Sequence, residues 1–439
     1  MTEHTGGSQE TSEGLVRRIG TGALGANIVN LVVGAGIFTL PGIVAAQLGP
    51  AAILAYLACA VTVSMVFLCY AEVGSRISRS GGSYTYIAEA FGPFAGFVAS
   101  TLFWLGWSVL ADAALAIALT DALALVIPAL AEGAPRNLFL IALFGFLAMV
   151  NIAGLKSGVR LVLLTTIAKL LPLLLLTGVG LFAMRLDQLH IDTWPTLQDF
   201  GASVLILFFA FAGAETALNT SGEIKDPART VPRGLLLGVG GVFILYVLLQ
   251  GVSQGALGAD LAGNTEAPLS AVANHVLGDW GGQLLLLAMI VSIFGALSGD
   301  VLNTPRLIFA SARDGLLPGV LAKVHPRHRT PHVAIAFFAA AGCVFALTGS
   351  FKLLAVVASG AILLIYLGVA LAVIALRRRH GPPEPGQFRI PGGPLVPMLS
   401  AAVIIWLLLQ MSAQEAIGAG LLLAVTVLMY VIRGLLRRG

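Results

Sequence analysis

Long apolar segments separated by short polar connections make up most of the chain. Twelve segments are long enough to cross a bilayer, since roughly 20 apolar residues of α-helix span its hydrocarbon core. The predicted spans are 20–46, 50–74, 93–127, 137–154, 158–184, 200–223, 234–257, 281–312, 332–348, 353–376, 394–412 and 416–436. The pattern predicts an all-α membrane protein with twelve transmembrane helices.

Two of these spans are interrupted near their midpoints. Gly34 and Gly36 interrupt span one, and glycine is a poor helix former. Gly213 interrupts span six, with the acidic Glu215 just beyond it. Broken backbone within a bilayer is tolerated where it lines a polar cavity. One new helix end offers N–H groups and the other offers carbonyls, so the pattern indicates a site for a zwitterion such as an amino acid.

The two broken spans occupy corresponding positions in two sets of five. Span six begins five helices after span one, so the two run in opposite directions. Opposed five-helix units with broken first helices are typical of inverted-repeat transporters with a site at mid-membrane depth. We predict one repeat over 17–186, a second, inverted repeat over 198–380, and spans eleven and twelve with a short basic C-terminus over 393–439. Residues 1–16 are predicted to form a cytoplasmic tail.

Composition agrees with a polytopic membrane protein. Of the 439 residues, 58% are hydrophobic and 10% are charged, and the mean hydropathy is +0.94. The three cysteines lack paired or metal-ligand spacing, and the seven histidines fall in tails, loops or helix ends. We therefore expect no metal, no cofactor and no histidine- or metal-dependent catalysis. The net charge of +4 gives no indication of nucleic-acid binding.

The distribution of basic residues predicts the orientation. One set of ends and loops carries 21 of the 25 lysines and arginines, the opposite loops carry three, and Lys169 lies within span five. Loops rich in lysine and arginine face the cytoplasm. We predict that both termini are cytoplasmic and that the protein lies in the cytoplasmic (inner) membrane. The start of the chain shows no signal-peptide pattern.

Four motifs, in order along the chain, resemble the amino acid–polyamine–organocation (APC) superfamily. Residues 34–41, Gly-Ala-Gly-Ile-Phe-Thr-Leu-Pro, resemble its first-helix signature, and 208–233 resemble its sixth helix and following loop. Residues 81–97 resemble the approach to helix three, and 306–318 resemble the end of helix eight. The resemblance implies a leucine-transporter-like fold, with a 5+5 inverted repeat and discontinuous helices 1 and 6. It also implies coupled transport of amino acids or amines.

Lys169 lies about nine residues beyond Arg160, or roughly 13 Å along a helix that rises ~1.5 Å per residue. This places its amine near mid-depth, where ionisable groups often have a function. We predict that Lys169 couples transport to protons, with a structural pair to a buried carboxylate as the alternative. The resemblance favours proton coupling or exchange over sodium, because similar sodium-independent transporters place a helix-five lysine where sodium-coupled members bind a cation.

Two aspartates are predicted to face the same site. Asp112 lies on span three, where similar bacterial cationic amino-acid transporters have glutamate, and it either contacts substrate or pairs with Lys169. Asp300 lies fifteen residues before Gly315, near the substrate side-chain pocket of the family. A carboxylate there would attract a basic side chain, and a hydrogen bond to neighbouring helix ends is the alternative. We therefore favour cationic amino acids as substrates, with small neutral ones next.

The resemblance implies that the backbone at the two breaks binds the head group of the substrate. The substrate carboxylate would meet N–H groups of residues 35–37, and its amine would meet carbonyls near Val32, Phe209 and Ala212. The candidate substrate-binding residues are Val32, Gly34, Ala35, Gly36, Ile37, Phe209, Phe211, Ala212, Gly213, Asp112 and Asp300.

Side chains around the sixth-span break have predicted roles as well. Phe209 and Phe211 would close over the substrate, although ordinary packing explains one of them equally well. Glu215 is expected to brace the break by accepting hydrogen bonds from exposed N–H groups, with direct substrate contact as the alternative.

Three further acidic residues are predicted to lie near the membrane surfaces. Asp121 is expected in a wetted outer vestibule. Glu72 and Glu223 lie at predicted cytoplasmic helix ends beside Arg76 and Lys225 respectively, and we expect a solvated gate role or a salt-bridge role for each.

Together these features predict a transporter rather than an enzyme. We expect an amino-acid permease that works by alternating access, through sodium-independent, proton-coupled symport. An exchanger of amino acids or amines is the nearest alternative, and a membrane sensor, channel or enzyme is more remote. The expected partners are an amino acid, protons and the lipid bilayer, and both a monomer and a homodimer are compatible with the spans.

Overall fold

The computed structural model describes residues 19–77, 82–153 and 159–436, without the side chains of 159–166, 219–223 and 435–436. These residues form sixteen α-helices, joined by short 3-10 turns and one π-helical segment. The helices are α1 (Thr21–Val32), α2 (Gly36–Leu48), α3 (Ala52–Arg76), α4 (Gly82–Phe91), α5 (Pro93–Thr101), α6 (Leu110–Ala124), α7 (Gly133–Ile152), α8 (Val159–Ala183), α9 (Leu197–Phe211), α10 (Pro227–Leu257), α11 (Pro268–Leu277), α12 (Asp279–Arg313), α13 (His332–Thr348), α14 (Phe351–His380), α15 (Leu395–Leu408) and α16 (Ala413–Leu436).

The helices have the length and apolar character of membrane spans. Within the described ranges, eight helical stretches are long and apolar enough to cross a membrane, and four shorter apolar helices accompany them. Charged side chains are concentrated at helix ends and in the connections. The all-α membrane class predicted from the sequence is confirmed, and the number of twelve crossings stays a prediction.

Both predicted helix breaks are present. α1 ends at Val32 and α2 begins at Gly36, while α9 ends at Phe211 and a 3-10 segment follows from Ala214. Gly213, at the second break, has a φ of 118°, which favours glycine. The breaks lie against each other, because a Cβ added to Gly36 would be only 2.5 Å from the Cα of Ala210. The unwound segments therefore share one region of the helix bundle.

Helix packing occurs in reciprocal pairs. α1 packs on α10 as α9 packs on α3, and α8 packs on α12 as α14 packs on α6. Two repeats related by a pseudo-two-fold axis would produce such pairs. The packing therefore supports an inverted repeat, while the boundaries 17–186 and 198–380 stay predictions.

The ends predicted to be cytoplasmic meet at one end of the bundle, which we call the basic end. The Lys225 N–H donates to the carbonyl of Ile19 at 2.9 Å, so the start of α1 lies beside the end of the sixth span. Arg433 of α16 donates to the carbonyl of Gly315, beyond α12, at 3.0 Å. Orientation across the membrane stays a prediction. The predicted tail 1–16 and the basic residues Arg17, Arg18, Arg79 and Lys156 lie outside the described residues.

Glu72 corrects the expectation of a solvated position and confirms the salt-bridge alternative, with Arg377 rather than the neighbouring Arg76 as its partner. Its side chain is 0% exposed. The Arg377 guanidinium donates to its two oxygens at 2.6 and 2.5 Å, and the Ile390 N–H donates at 2.9 Å. Arg76 instead donates to the carbonyl of Gly381. The solvated position was wrong because α14 and the loop after it pack over the end of α3, a contact between distant parts of the chain that local spacing does not reveal.

Asp121 and Glu223 are the other two acidic residues predicted to lie near the membrane surfaces. Asp121 is partly exposed and forms a 2.7 Å ion pair with Arg136. The side chain of Glu223 lies outside the described residues.

Candidate functional site

A cavity of about 300 Å³ lies where the two helix breaks meet. Its wall is formed by both breaks together with the facing surfaces of α6, α8 and α12. The residues that line it include Asn27, Asn30, Val32, Gly34, Ala35, Gly36, Trp107, Asp112, Lys169, Phe209, Ala212, Gly213, Thr216, Ser292, Asp300 and Asn303. We call this space the central cavity.

Most of the predicted site residues line the central cavity, but Ile37 and Phe211 do not. Phe211 is 2% exposed and packs against the rings of Tyr56 and Tyr246, at centroid distances of 6.4 and 5.0 Å. Phe209 does line the cavity, with Trp107 at 6.0 Å and Phe351 at 5.7 Å between ring centroids. Of the two predicted lids, the geometry therefore favours Phe209.

The start of α2 offers hydrogen-bond donors to the cavity. The first N–H groups of an α-helix have no partner within the helix. No side chain among the described residues caps α2, whose N-cap is Ala35. Ala35 and Gly36 both line the cavity, and the helix dipole adds positive potential there. This end can therefore bind a carboxylate through backbone N–H groups.

The carbonyls at the end of α1 already have partners. The Tyr246 hydroxyl donates to the carbonyl of Val32 at 3.1 Å. The Ser292 hydroxyl donates to that of Val33 at 3.4 Å. These contacts stabilise the unwound backbone, because unpaired carbonyls within a membrane span are costly. A substrate amine would therefore compete for Val32, and carbonyls at the α9 break are the less occupied alternative.

Lys169 connects α8 to the first break. Its side chain is 5% exposed, and its ammonium donates to the carbonyl of Asn30 at 2.5 Å. The ion pairs found among the described residues do not join Lys169 to Asp112 or Asp300. Lys169 thus holds the end of α1 directly, and the predicted alternative of a structural pair with a carboxylate is not the arrangement seen here.

Asp112 and Asp300 both line the central cavity but differ in their partners. Asp112 is 1% exposed, and its Oδ2 atom has no hydrogen-bond partner among the described residues. Asp300 accepts a 2.7 Å hydrogen bond from the Thr304 hydroxyl, which lies 3.1 Å from the Ser108 Oγ. One carboxyl is therefore held by neighbouring hydroxyls, and the other keeps a buried oxygen atom without a hydrogen-bond partner among the described residues.

Glu215 lies just behind the cavity, beside the second break. Its two oxygens accept hydrogen bonds from the Gly213 N–H at 3.2 and 3.0 Å. The Tyr366 hydroxyl donates to Oε2 at 2.7 Å. This is the geometry that the bracing role requires, since the carboxylate fixes both the exposed N–H group and α14.

A second cavity of about 420 Å³, here called the vestibule, continues from the central cavity toward the basic end. The two cavities share Asn27, Leu31, Thr216 and Asn303. The sequence interpretation missed Asn27, Asn30 and Asn303. Amide side chains within apolar spans are themselves a signal of a polar interior, and they could have identified these positions.

Comparison with known proteins agrees with this architecture. A family model described as "Amino acid permease" matches residues 19–432. The serine/threonine exchanger SteT of Bacillus subtilis is 32% identical, over 93% of this chain and 94% of its own. The methylthioribose transporter of the same organism is 29% identical, over 96% of this chain and 94% of its own. The branched-chain amino acid permease BcaP of Bacillus subtilis is 27% identical, over 90% of this chain and 88% of its own. The chain therefore belongs to the amino acid permease family of the APC superfamily.

Proposed function

We propose that this chain is a sodium-independent, proton-coupled amino-acid permease that works by alternating access. The observation that carries the proposal is the central cavity, where two broken helices present backbone donors and acceptors to one space. A zwitterionic head group has the complementary charges. The vestibule supports a conformation open toward the basic end, which we expect to be cytoplasmic.

The coupling role is assigned to Lys169. Its ammonium links α8 to the Asn30 carbonyl at the end of α1. Loss of a proton from the amine would weaken this link, and a ligand can shift a conformational equilibrium only through contacts that differ between the two states. A proton that is bound in one state and released in the other would therefore be transported with the substrate.

We rank two classes of amino acid as candidate substrates. Asp112 and Asp300 in the cavity wall favour amino acids with a basic side chain, because each carboxylate can attract a cation. Small neutral amino acids come next, supported by the serine, threonine and branched-chain amino acids in the names of the relatives.

Substrate-dependent thermal stabilisation tests the substrate class. The purified protein is heated with each of the twenty amino acids and with common polyamines, because a ligand bound to the folded state raises Tm by mass action. We expect shifts with arginine and lysine that disappear in Asp300→Asn. Shifts with alanine, serine or leucine alone would contradict the basic-substrate assignment, and no shift with any compound would contradict both proposed substrate classes.

Exchange is the second candidate mechanism, because the relative SteT is named as an exchanger. Counterflow in proteoliposomes separates the two. A symporter accumulates labelled substrate when an inward proton gradient is imposed on empty vesicles. An exchanger requires substrate inside the vesicles and does not respond to the gradient alone.

A further inference from the structure

The vestibule has a chemical character of its own. Arg306 is the charged side chain among the described residues that line it, and it is exposed. Neutral hydrogen-bonding groups surround it, from α4 and from α12, including Tyr84 and Asn303. With a volume of about 420 Å³ the space lies within the range of small-molecule sites.

We propose that Arg306 and the polar side chains around it form a second substrate subsite, which binds the carboxylate of an amino acid on the basic-end side of the central cavity. The proposal rests on the transport function proposed above. It assigns a ligand to a part of the pathway that the two helix breaks do not reach.

The Arg306 guanidinium has enough N–H donors to bind a carboxylate in addition to its contact within the protein. An arginine side chain carries five N–H donors in a planar fork that matches a carboxylate. One nitrogen, Nη1, donates to the Leu302 carbonyl one turn earlier on α12. That contact orients the side chain and leaves the other nitrogen atoms for a ligand.

Along the proposed pathway, Arg306 and the N-terminus of α2 would bind the substrate carboxylate one after the other. A carboxylate that leaves Arg306 next meets the N-terminus of α2, where Ala35 and Gly36 offer N–H groups. Asn27 and Asn303 line both cavities, so amide groups can hydrogen bond the head group between the two positions. Arg306 would also repel a cationic side chain, so that a basic amino acid enters with its carboxylate nearest this arginine.

Side-specific transport kinetics test the subsite. Uptake of L-serine and of L-lysine is measured in inside-out and in right-side-out membrane vesicles for wild type, Arg306→Gln, Arg306→Lys and Arg313→Gln. Arg313 is the matched control, because it lies two turns further along α12, is exposed, and does not line the vestibule. Thermal unfolding of each purified variant monitors folding.

Arg306→Gln is expected to raise the half-saturation concentration about fivefold from the basic-end side and less than twofold from the opposite side, since an exposed ionic contact contributes modestly. Arg306→Lys should retain part of the effect, and Arg313→Gln should resemble wild type. An unchanged value for Arg306→Gln, an equal rise from both sides, or an equal effect of Arg313→Gln would overturn the subsite. Failure of the permease function itself would show differently, as no uptake of either amino acid by wild type.

Discussion

Lys169 forms a short polar contact in the wall of the central cavity, and its partner is a backbone carbonyl rather than a carboxylate. An uncharged side chain of similar length removes the ammonium while keeping the packing. We expect Lys169→Met to lose at least about tenfold in proton-driven uptake, because methionine has no donor for the Asn30 carbonyl and the protonatable link between α8 and α1 is lost. Uptake is measured in proteoliposomes with and without an imposed pH gradient.

Lys352→Met is the matched control for this change, because Lys352 is an exposed lysine at the start of α14. It should respond to the gradient as wild type does. Gradient-driven uptake at the wild-type rate in Lys169→Met would remove Lys169 from the coupling mechanism.

The Asp112 carboxylate is expected to destabilise the folded protein while contributing to substrate binding. Its Oδ2 has no partner among the described residues, and burying an unpaired carboxylate oxygen destabilises the folded state. We expect Asp112→Asn to raise Tm in the absence of substrate, corresponding to about 1 kcal/mol, while weakening the stabilisation produced by L-arginine. Thermal unfolding with and without the ligand measures both effects.

Thr304→Val provides the comparison for Asp112→Asn. It removes the hydroxyl that donates to Asp300 and should lower Tm, since it leaves a second carboxyl with fewer partners. A fall in Tm for Asp112→Asn would indicate that the carboxylate stabilises the folded state. It would therefore contradict the interpretation that the Oδ2 atom of Asp112 has no hydrogen-bond partner.

Sequence reasoning at the residue level identified ionisable groups better than neutral ones. Lys169, Asp112 and Asp300 were singled out because charge within an apolar span is costly. Tyr246 and Ser292 were not, although their hydroxyls bind the carbonyls at the end of α1. Both lie on helices whose rotation about their own axes is set by packing, and a single sequence does not specify that rotation.

At the level of elements, the two breaks depend on close contact between glycine and a neighbouring helix. A Cβ on Gly36 would lie 2.5 Å from the Cα of Ala210. This Cα is a backbone atom, so it cannot move aside as a flexible side chain could. We expect Gly36→Ala to lower Tm, by the equivalent of about 1–3 kcal/mol, and to reduce transport at least about tenfold. Uptake and thermal unfolding are measured together.

Gly34→Ala gives an internal control within the same break. Its added Cβ would have Val32 O at 3.9 Å as its nearest neighbour, an ordinary van der Waals contact. This variant should therefore fold as wild type does. Equal losses of stability in the two variants would show that the glycines act through backbone flexibility rather than through this contact.

The elements show what hydropathy can and cannot predict. The breaks at 34–36 and near Gly213 follow from glycine within apolar segments, and the structure confirms them. The burial of Phe211 against Tyr56 and Tyr246 does not follow, because both faces of α9 are apolar and the pattern gives no preferred side.

For the whole molecule, the ion pair of Glu72 with Arg377 joins α3 to the end of α14, and Ile390 adds the following loop. Removing one partner of a buried pair leaves the other without compensation. We expect Arg377→Met to destabilise the protein by about 3 kcal/mol, because Glu72 remains buried with its charge, and to lower Tm accordingly.

The double variant Glu72→Gln/Arg377→Met should recover part of this loss, since the uncompensated charge is gone. Arg378→Met is the control, because this neighbouring side chain is exposed. Destabilisation of the double variant equal to the sum of the two single changes would show that the residues do not act as a pair.

The overall architecture could be predicted because it depends on properties that accumulate along the chain. Span length, the opposed directions of the broken helices and the family motifs all pointed to the observed class. The ion pair between Glu72 and Arg377 could not be predicted, because the two residues lie 305 positions apart in the chain.

Span three contains a π-helical segment, Leu102–Val109, between α5 and α6. Each wide turn holds more residues than an α-helical turn, so the residues after it are displaced in register. Deleting one residue there would restore α-helical spacing and rotate Asp112 by about 100° relative to α5. Hydropathy and span length would hardly change. In this chain the length of one segment, counted in single residues, thus decides which side chain of α6 faces the central cavity.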